Sequence, residues 1–136
     1  DMAVPGSRIA DTVRRIHRAA RENDLIMTAY GHCGSGVIHT KVLMDPRRIS
    51  SWKRAARAVD RIYEYVGSIG GCTSGEHGIG ITKGGHFQRE RTDSLELMRR
   101  VKAAFDPNGI LNPGKIFDAP EDWLSATPLR YEVSDE

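Results

Sequence analysis

An α+β fold of the ferredoxin-like kind, βαββαβ with an antiparallel sheet, helices on one face and further helices towards the C-terminus, is predicted by three features of this 136-residue sequence. Two stretches carry apolar residues at helical spacing. Two stretches rich in β-branched and apolar residues meet at a glycine-rich turn. Short strand-like runs precede the first helix and follow the second, which completes the order.

The opening Met2, Ala3 and Val4 are strand-like, and because the chain enters directly on them it reads as an excised piece of a longer protein. The first helix is expected over Ser7–Glu22, with Ile9, Val13, Ile16 and Ala20 on one face and Ser7 as its N-cap after Pro5 and Gly6. Leu25 to Tyr30 and then Val37 to Met44 form the hairpin strands, joined through Gly31-His32-Cys33-Gly34-Ser35-Gly36. Asp45 and Pro46 end the second strand. A helix over Ser50–Val66 should bury Trp52, Ala56, Val59, Tyr63 and Val66 before Gly67, Gly70 and Gly71 stop it. Cys72 and Thr73 supply the last strand.

Further on, a polar stretch around Lys83, Gly84 and Gly85 leads to a helix from about Ser94 to Phe105, with Asp93 and Glu96 as a capping box and Leu95, Met98, Val101 or Lys102, and Phe105 inward. After the Asp106-Pro107-Asn108-Gly109 turn, Ile110 to Phe117 reads as extended. Residues 118–136 are acidic and proline-punctuated, and read as a surface arm or tail.

Composition narrows the function. Twenty Lys and Arg against eighteen Asp and Glu give a net charge of +2, too mild for a nucleic-acid partner. No apolar run approaches the roughly 20 residues of a bilayer span, so a cytoplasmic location is expected, peripheral to a membrane at most in the whole protein. Cys33 and Cys72 are too few for a disulfide scaffold. The arginines at 47, 54, 57 and 61 follow helical spacing and read as a solvated face, with docking of an acidic partner as the sharper alternative.

Chemistry concentrates in two places. His32 and His39 flank the hairpin turn, so the returning strands bring their imidazoles together, opposed or diagonal. Glu76 and His77 lie between Gly75 and Gly78, in a loop whose backbone can approach other groups closely. A catalytic divalent metal takes about three His or carboxylate ligands and keeps a position open, a count that His32, His39 and Glu76 meet. Adjacent residues of an extended chain point to opposite sides, so Glu76 and His77 should not share an ion: one ligates, the other handles protons. By the same argument Cys33 is no co-ligand beside His32, and it should pack. By itself a His-x6-His pair is weak evidence for a metal. The glycine-rich turn lacks the Lys and Ser/Thr of a phosphate-binding loop. His17 and His86 read as solvated.

Together, GHCGSGVIH, GGCTSGEHGIG and KAAFDPNGILNPGKIF, in that order, resemble the C-terminal domain of FAD-linked oxidases, the group of D-lactate, D-2-hydroxyglutarate and glycolate dehydrogenases. The resemblance covers residues 1–117, the opening DMAVPGSRI included, and implies the second half of a substrate- and metal-binding domain. It implies His32, His39 and Glu76 as ligands of a divalent metal, usually zinc, and His77 as the base that removes the substrate hydroxyl proton. It places Asn112 and Lys115 at the flavin or substrate edge. FAD, a 2-hydroxy-acid substrate, an N-terminal FAD-binding domain and an unidentified electron acceptor are the implied cofactor and partners, and a homo-oligomer is compatible with it.

Three departures bear on substrate. The family's first motif reads G-H-x-G-D-G-N-x-H, whereas this chain has Ser35 for the common Asp and Val37 for the common Asn. Lys41 stands where many relatives carry Asn, which makes it a candidate for gripping a substrate carboxylate. A stand-alone ferredoxin-like module that binds a small carboxylate or metal without catalysis, and a purely structural domain, are the rival readings.

Overall fold

In the computed structural model, which describes residues 1–126, the fold is α+β. Strand β1 (Met2–Ala3) leads through a 3-10 turn at Gly6–Arg8 into α1 (Ile9–Glu22), followed by β2 (Ile26–His32), β3 (Val37–Leu43) and α2 (Ile49–Ser68). Three shorter helices follow: α3 (Gly84–Glu90), α4 (Leu95–Phe105) and α5 (Trp123–Ala126). The described chain divides into two compact units, Asp1–Gly78 in one and the stretch from Ile79 in the other.

In the first unit the sheet has the order β1-β3-β2, antiparallel throughout. The fourth expected strand is reduced to one antiparallel bridge, in which Ala3 and Cys72 exchange backbone hydrogen bonds of 3.0 and 2.8 Å. Glycine at 71 explains the tight return, since a Cβ there would stand 2.7 Å from Val66 Cγ1 and 2.8 Å from the Ala3 carbonyl oxygen.

The period of two along β2 and β3 sorts residues between the faces. Met27, Ala29, Ile38 and Val42 join Met2 against α1 and α2, where Ile16, Ala19, Ala20, Ala58, Ile62, Tyr63 and Val66 complete the core. The opposite face carries Thr28, Tyr30, His32, His39 and Lys41, paired as Tyr30↔His39 and Thr28↔Lys41. Val37 and His39 are buried on this side, whereas Ile26, Tyr30 and Leu43 are exposed.

Several expectations shift. Ser7 lies inside the 3-10 turn and makes no cap bond, and the α-helix starts two residues later. On α2 the buried stripe is Ser51, Ala55, Ala58, Ile62, Tyr63 and Val66, rotated from the expected one. Alanines at 55 and 58 let α2 close on its neighbours, while Trp52 turns aside and donates its indole N–H to the Pro46 carbonyl at 2.8 Å. The α2 arginines tie into the unit: Arg61 pairs with Glu22 at 2.6 Å and Arg57 reaches the Asn23 amide oxygen at 3.3 Å. Arg57 and Arg61 thus link α2 to the end of α1, while the Arg47 and Arg61 side chains stay exposed as expected of a solvated face.

In the second unit α3 begins on Gly84 and Gly85, poor helix formers that packing overrides. A Cβ at Gly84 would lie 2.2 Å from Ala119 Cβ, and one at Gly85 would lie 1.9 Å from the Glu121 carbonyl oxygen. The stretch read as a tail therefore packs at its start, with Ala119 buried and Gln88 donating to the carbonyls of Ile116 and Ala119. Residues 127–136 of that stretch lie outside the described residues.

The capping box of α4 does not form: Ser94 is the N-cap, and no side chain caps the helix. Its apolar residues are not buried, and Leu97, Val101 and Phe105 are exposed. Beyond α4, Asp106 accepts the N–H groups of Ile110 and Leu111 and binds Lys102. The side-chain bond to Lys102 holds its carboxyl below the usual carboxylate range. Residues 110–117 form turns instead of an extended run, because Asn112, Gly114 and Ile116 take positive φ and Ile116 donates to the Gly80 carbonyl. No helix among the described residues is long and apolar enough to cross a membrane.

Candidate functional site

The hairpin and the loop after the Ala3–Cys72 bridge bring His32, His39, Glu76 and His77 together. In the β2–β3 register His32 faces Val37 and His39 faces Tyr30, so the two histidines are diagonal neighbours on one face. Their rings meet edge to face with centroids 5.4 Å apart. The turn between them is a 3-10 turn over Cys33–Ser35 closed by Gly36 at φ 74°. Its backbone passes so near Val4 that a Cβ on Gly36 would sit 2.1 Å from the Val4 carbonyl oxygen.

Glu76 is the hub. Its Oε1 lies 2.9 Å from His39 Nε2, 3.3 Å from His32 Nε2 and 3.8 Å from His77 Nε2. His39 is buried, while the His32, His77 and Glu76 side chains are roughly half exposed or more, so the cluster opens to one side. His77 stacks on His39 with centroids 4.7 Å apart and planes inclined by 7°. Tyr30 flanks His39 from the neighbouring strand at 5.3 Å.

His32, His39 and Glu76 present one nitrogen or oxygen each, all within 4.8 Å of one another, as a metal ion requires; Asp1, His39 and His77 form a second such group. Two imidazoles and one carboxylate are a donor set suited to zinc. Glu76 and His77 fall in different groups, yet both side chains turn into the one cluster instead of to opposite sides, with Glu76 Oε1 3.8 Å from His77 Nε2. Cys33 is exposed and takes no part in either group.

Lys41, two residues beyond His39 on the same strand, shares its face, and its Nζ stands 5.6 Å from the centre of the Tyr30 ring. Asn112 and Lys115 lie in the second unit, Asn112 exposed in a left-handed turn at φ 48° and Lys115 half-buried. His17 is exposed on α1 as expected. His86, expected in solvent, is buried on α3 with its Nδ1 2.9 Å from Arg89 Nη2. Helix α3 is not legible from its glycines, so neither is the burial of His86.

One participant carries no mark in the sequence. Asp1, its side chain only 4% exposed, has Oδ1 3.4 Å from His39 Nδ1. Its carboxylate also accepts from the loop: the N–H of Gly75 at 2.9 Å, of Glu76 at 3.2 Å and of His77 at 3.2 Å, and the Ser74 hydroxyl at 3.3 Å. An acid 75 residues before Glu76 has no local signal of this role. Only pairing of β1 with β3 and with Cys72 places it there.

The sequence matches the family "FAD linked oxidases, C-terminal domain" over residues 1–116. It is 36% identical over 118 residues to the glycolate oxidase subunit GlcD of Bacillus subtilis, covering 86% of this chain and 25% of that protein. It is 36% identical over 117 residues to a D-lactate dehydrogenase of Archaeoglobus fulgidus, covering 85% and 26% of the two chains. With a D-2-hydroxyglutarate dehydrogenase of Stutzerimonas stutzeri the identity is 34% over 126 residues, covering 88% and 27%. The chain thus spans about a quarter of the length of these relatives. A match over residues 1–116, a range that includes the histidine and glutamate cluster, places the chain in the FAD linked oxidases as their C-terminal domain.

Proposed function

We propose that this domain binds and activates the substrate of an FAD-dependent 2-hydroxy-acid dehydrogenase, with its flavin held by a separate N-terminal domain. The observation that carries the reading is the convergence of His32, His39 and Glu76 within 4.8 Å beside an open, stacked His77. The relatives are named for activities on glycolate, D-lactate and D-2-hydroxyglutarate, which supports the substrate class. Antiparallel order β1-β3-β2 with the Ala3–Cys72 bridge on the free side of β1 supports a ferredoxin-like sandwich whose fourth strand has shrunk to one residue pair.

The donor chemistry fits a divalent ion such as zinc on His32 Nε2, His39 Nε2 and a Glu76 oxygen. When bound, the ion would polarise the hydroxyl and carboxylate oxygens of the acid, and FAD would accept the hydride from Cα. His77, with 61% of its side chain exposed, would take the hydroxyl proton at Nε2. Its stacking on His39 fixes the plane of the ring. Lys41 lies about two residues, roughly 7 Å, along β3 from His39, and its long side chain can meet a substrate carboxylate. Asn112 and Lys115 are assigned to the flavin edge of the pocket on the family resemblance.

Glycolate, D-lactate and D-2-hydroxyglutarate offered to the whole flavoprotein, with an artificial dye as acceptor, test the reading. Dye reduction with at least one acid, abolished by a chelator and restored by zinc, is expected. Failure with all three acids would overturn the substrate class, and full activity after verified metal removal would overturn the metal.

A further inference from the structure

We propose that Asp1 is a positioning residue that locks His39 and the 74–77 loop into one arrangement, and so sets the ligand geometry without itself holding the metal. The proposal rests on the metal reading of His32, His39 and Glu76.

The two groups of metal-competent side chains share His39, and the second has Asp1 and His77 where the first has His32 and Glu76. The hydrogen bonds of Asp1 decide between them. Oδ2 accepts from Ser74 Oγ and from the N–H groups of Gly75 and His77, and Glu76 N–H is shared between Oδ1 at 3.2 Å and Oδ2 at 3.3 Å. Turning this carboxylate towards a cation would break three backbone hydrogen bonds at once, together with the one from Ser74. Asp1 therefore belongs to the loop. Its contact with His39, Oδ1 to Nδ1 at 3.4 Å, is an off-line approach within ion-pair reach, on the ring nitrogen opposite the one that faces Glu76.

A carboxylate behind a metal-binding histidine fixes ring orientation and leaves Nε2 for the ion, and Asp1 would act on His39 in this way. The fold is built to admit it. Gly75 has its hypothetical Cβ 2.7 Å from Asp1 Oδ1 and 2.8 Å from Val37 Cγ1, so any larger residue would push the loop off the carboxylate. The backbone of Asp1 is held as well, its carbonyl accepting the Tyr63 hydroxyl at 3.3 Å. One buried anion thus ties the hairpin histidine to the loop glutamate, residues 37 positions apart in sequence.

The test compares the whole flavoprotein with its Asp1→Asn variant. Zinc affinity is read by chelator competition, the visible spectrum by cobalt substitution, and amide hydrogen exchange at 75–77 in the metal-free protein. Asn keeps the size and one acceptor but places an NH2 against the loop donors. The expected result is zinc bound about 10- to 100-fold more weakly, an altered cobalt spectrum at saturation, and faster exchange at 75–77. A purely structural role would leave the cobalt spectrum unchanged, so an unchanged spectrum with wild-type zinc affinity overturns the proposal.

Should the wild-type protein bind no zinc, the metal reading fails on its own. Amide exchange and the 15N shift of His39 Nδ1 then decide the role of Asp1: both move in the variant if Asp1 positions these groups, and neither moves if it does not. Should Asp1→Asn fail to fold, Gly75→Ala displaces the carboxylate without removing it. The same losses are expected from it, and wild-type values would overturn the proposal.

Discussion

His77 lies flat against His39, the two rings inclined by only 7° with centroids 4.7 Å apart, while its Nε2 stands 3.8 Å from the nearest Glu76 oxygen. Stacking and proton transfer are separable properties of this ring, and two substitutions separate them. His77→Ala removes both, whereas His77→Phe keeps a flat ring on His39 and removes the proton acceptor. Both should lower kcat of the whole enzyme by about 10²- to 10⁴-fold, the usual contribution of a general base, with flavin and metal content intact. If the Phe variant turned over at the wild-type rate, His77 would be a packing residue and no base.

Removing a ligand should act differently. His32→Ala, His39→Ala and Glu76→Ala are each expected to yield protein with intact flavin and little bound metal, by elemental analysis after dialysis. His39→Ala should also destabilise the fold, because His39 is buried and His32 is not. Metal retained in all three variants would place the ion elsewhere.

Lys41→Ala should raise KM for the acid with kcat little changed, since a charged contact to a carboxylate that persists through the reaction binds ground and transition states alike. Loss of one charge-assisted bond, about 1.5–3 kcal/mol, corresponds to roughly a 10- to 100-fold rise. An unchanged KM would leave Lys41 over Tyr30 with no part in substrate binding.

The hairpin turn that carries the histidines is open to a stability test. At Gly36→Ala the backbone has φ 74° and the new Cβ meets the Val4 carbonyl oxygen at 2.1 Å. A cost of at least about 1–3 kcal/mol is expected from the backbone conformation alone, read as a lower denaturant midpoint. A midpoint equal to wild type would show that the turn relaxes freely.

Burial pushes the Tyr63 phenol well above its ordinary value of 10. Its folded pKa exceeds the unfolded one, so the unfolded chain loses this proton first as the solution turns alkaline. The stability it contributes is full below pH about 10 and declines as pH rises beyond that. Urea unfolding between neutral and strongly alkaline pH should show a downward slope that Tyr63→Phe reduces. At neutral pH the same variant loses the hydrogen bond to the Asp1 carbonyl, costing about 0.5–1.5 kcal/mol. Equal alkaline slopes would mean that the phenol ionises without unfolding.

The cluster is legible in the sequence where local rules act. Alternation along β2 and β3 and a glycine-rich turn put His32 and His39 on one face, and the glycines at 75 and 78 mark the loop that brings Glu76. Asp1 is not legible, because its partners come from pairings over 70 residues away. The stripe on α2 is rotated from its expected position for a related reason: small Ala55 and Ala58 win the interior over Trp52 and Val59 through close packing, which hydrophobic spacing does not weigh. His86 and helix α3 are hidden by Gly84 and Gly85, whose missing side chains make room for Ala119 and Glu121.

Strand β3 carries structural and chemical residues in alternation, Ile38 and Val42 turned to the helices, His39 and Lys41 to the other side. Folding and chemistry are therefore locked to one phase. A slip of one residue would drive Lys41 or His39 into the oily layer and swing Ile38 out to where the ion is proposed to sit. Such an error cannot yield a stable but idle domain, nor an active but loose one. Any molecule with a properly seated core has its histidines in place, which makes the hydrophobic effect the proofreader of the active side.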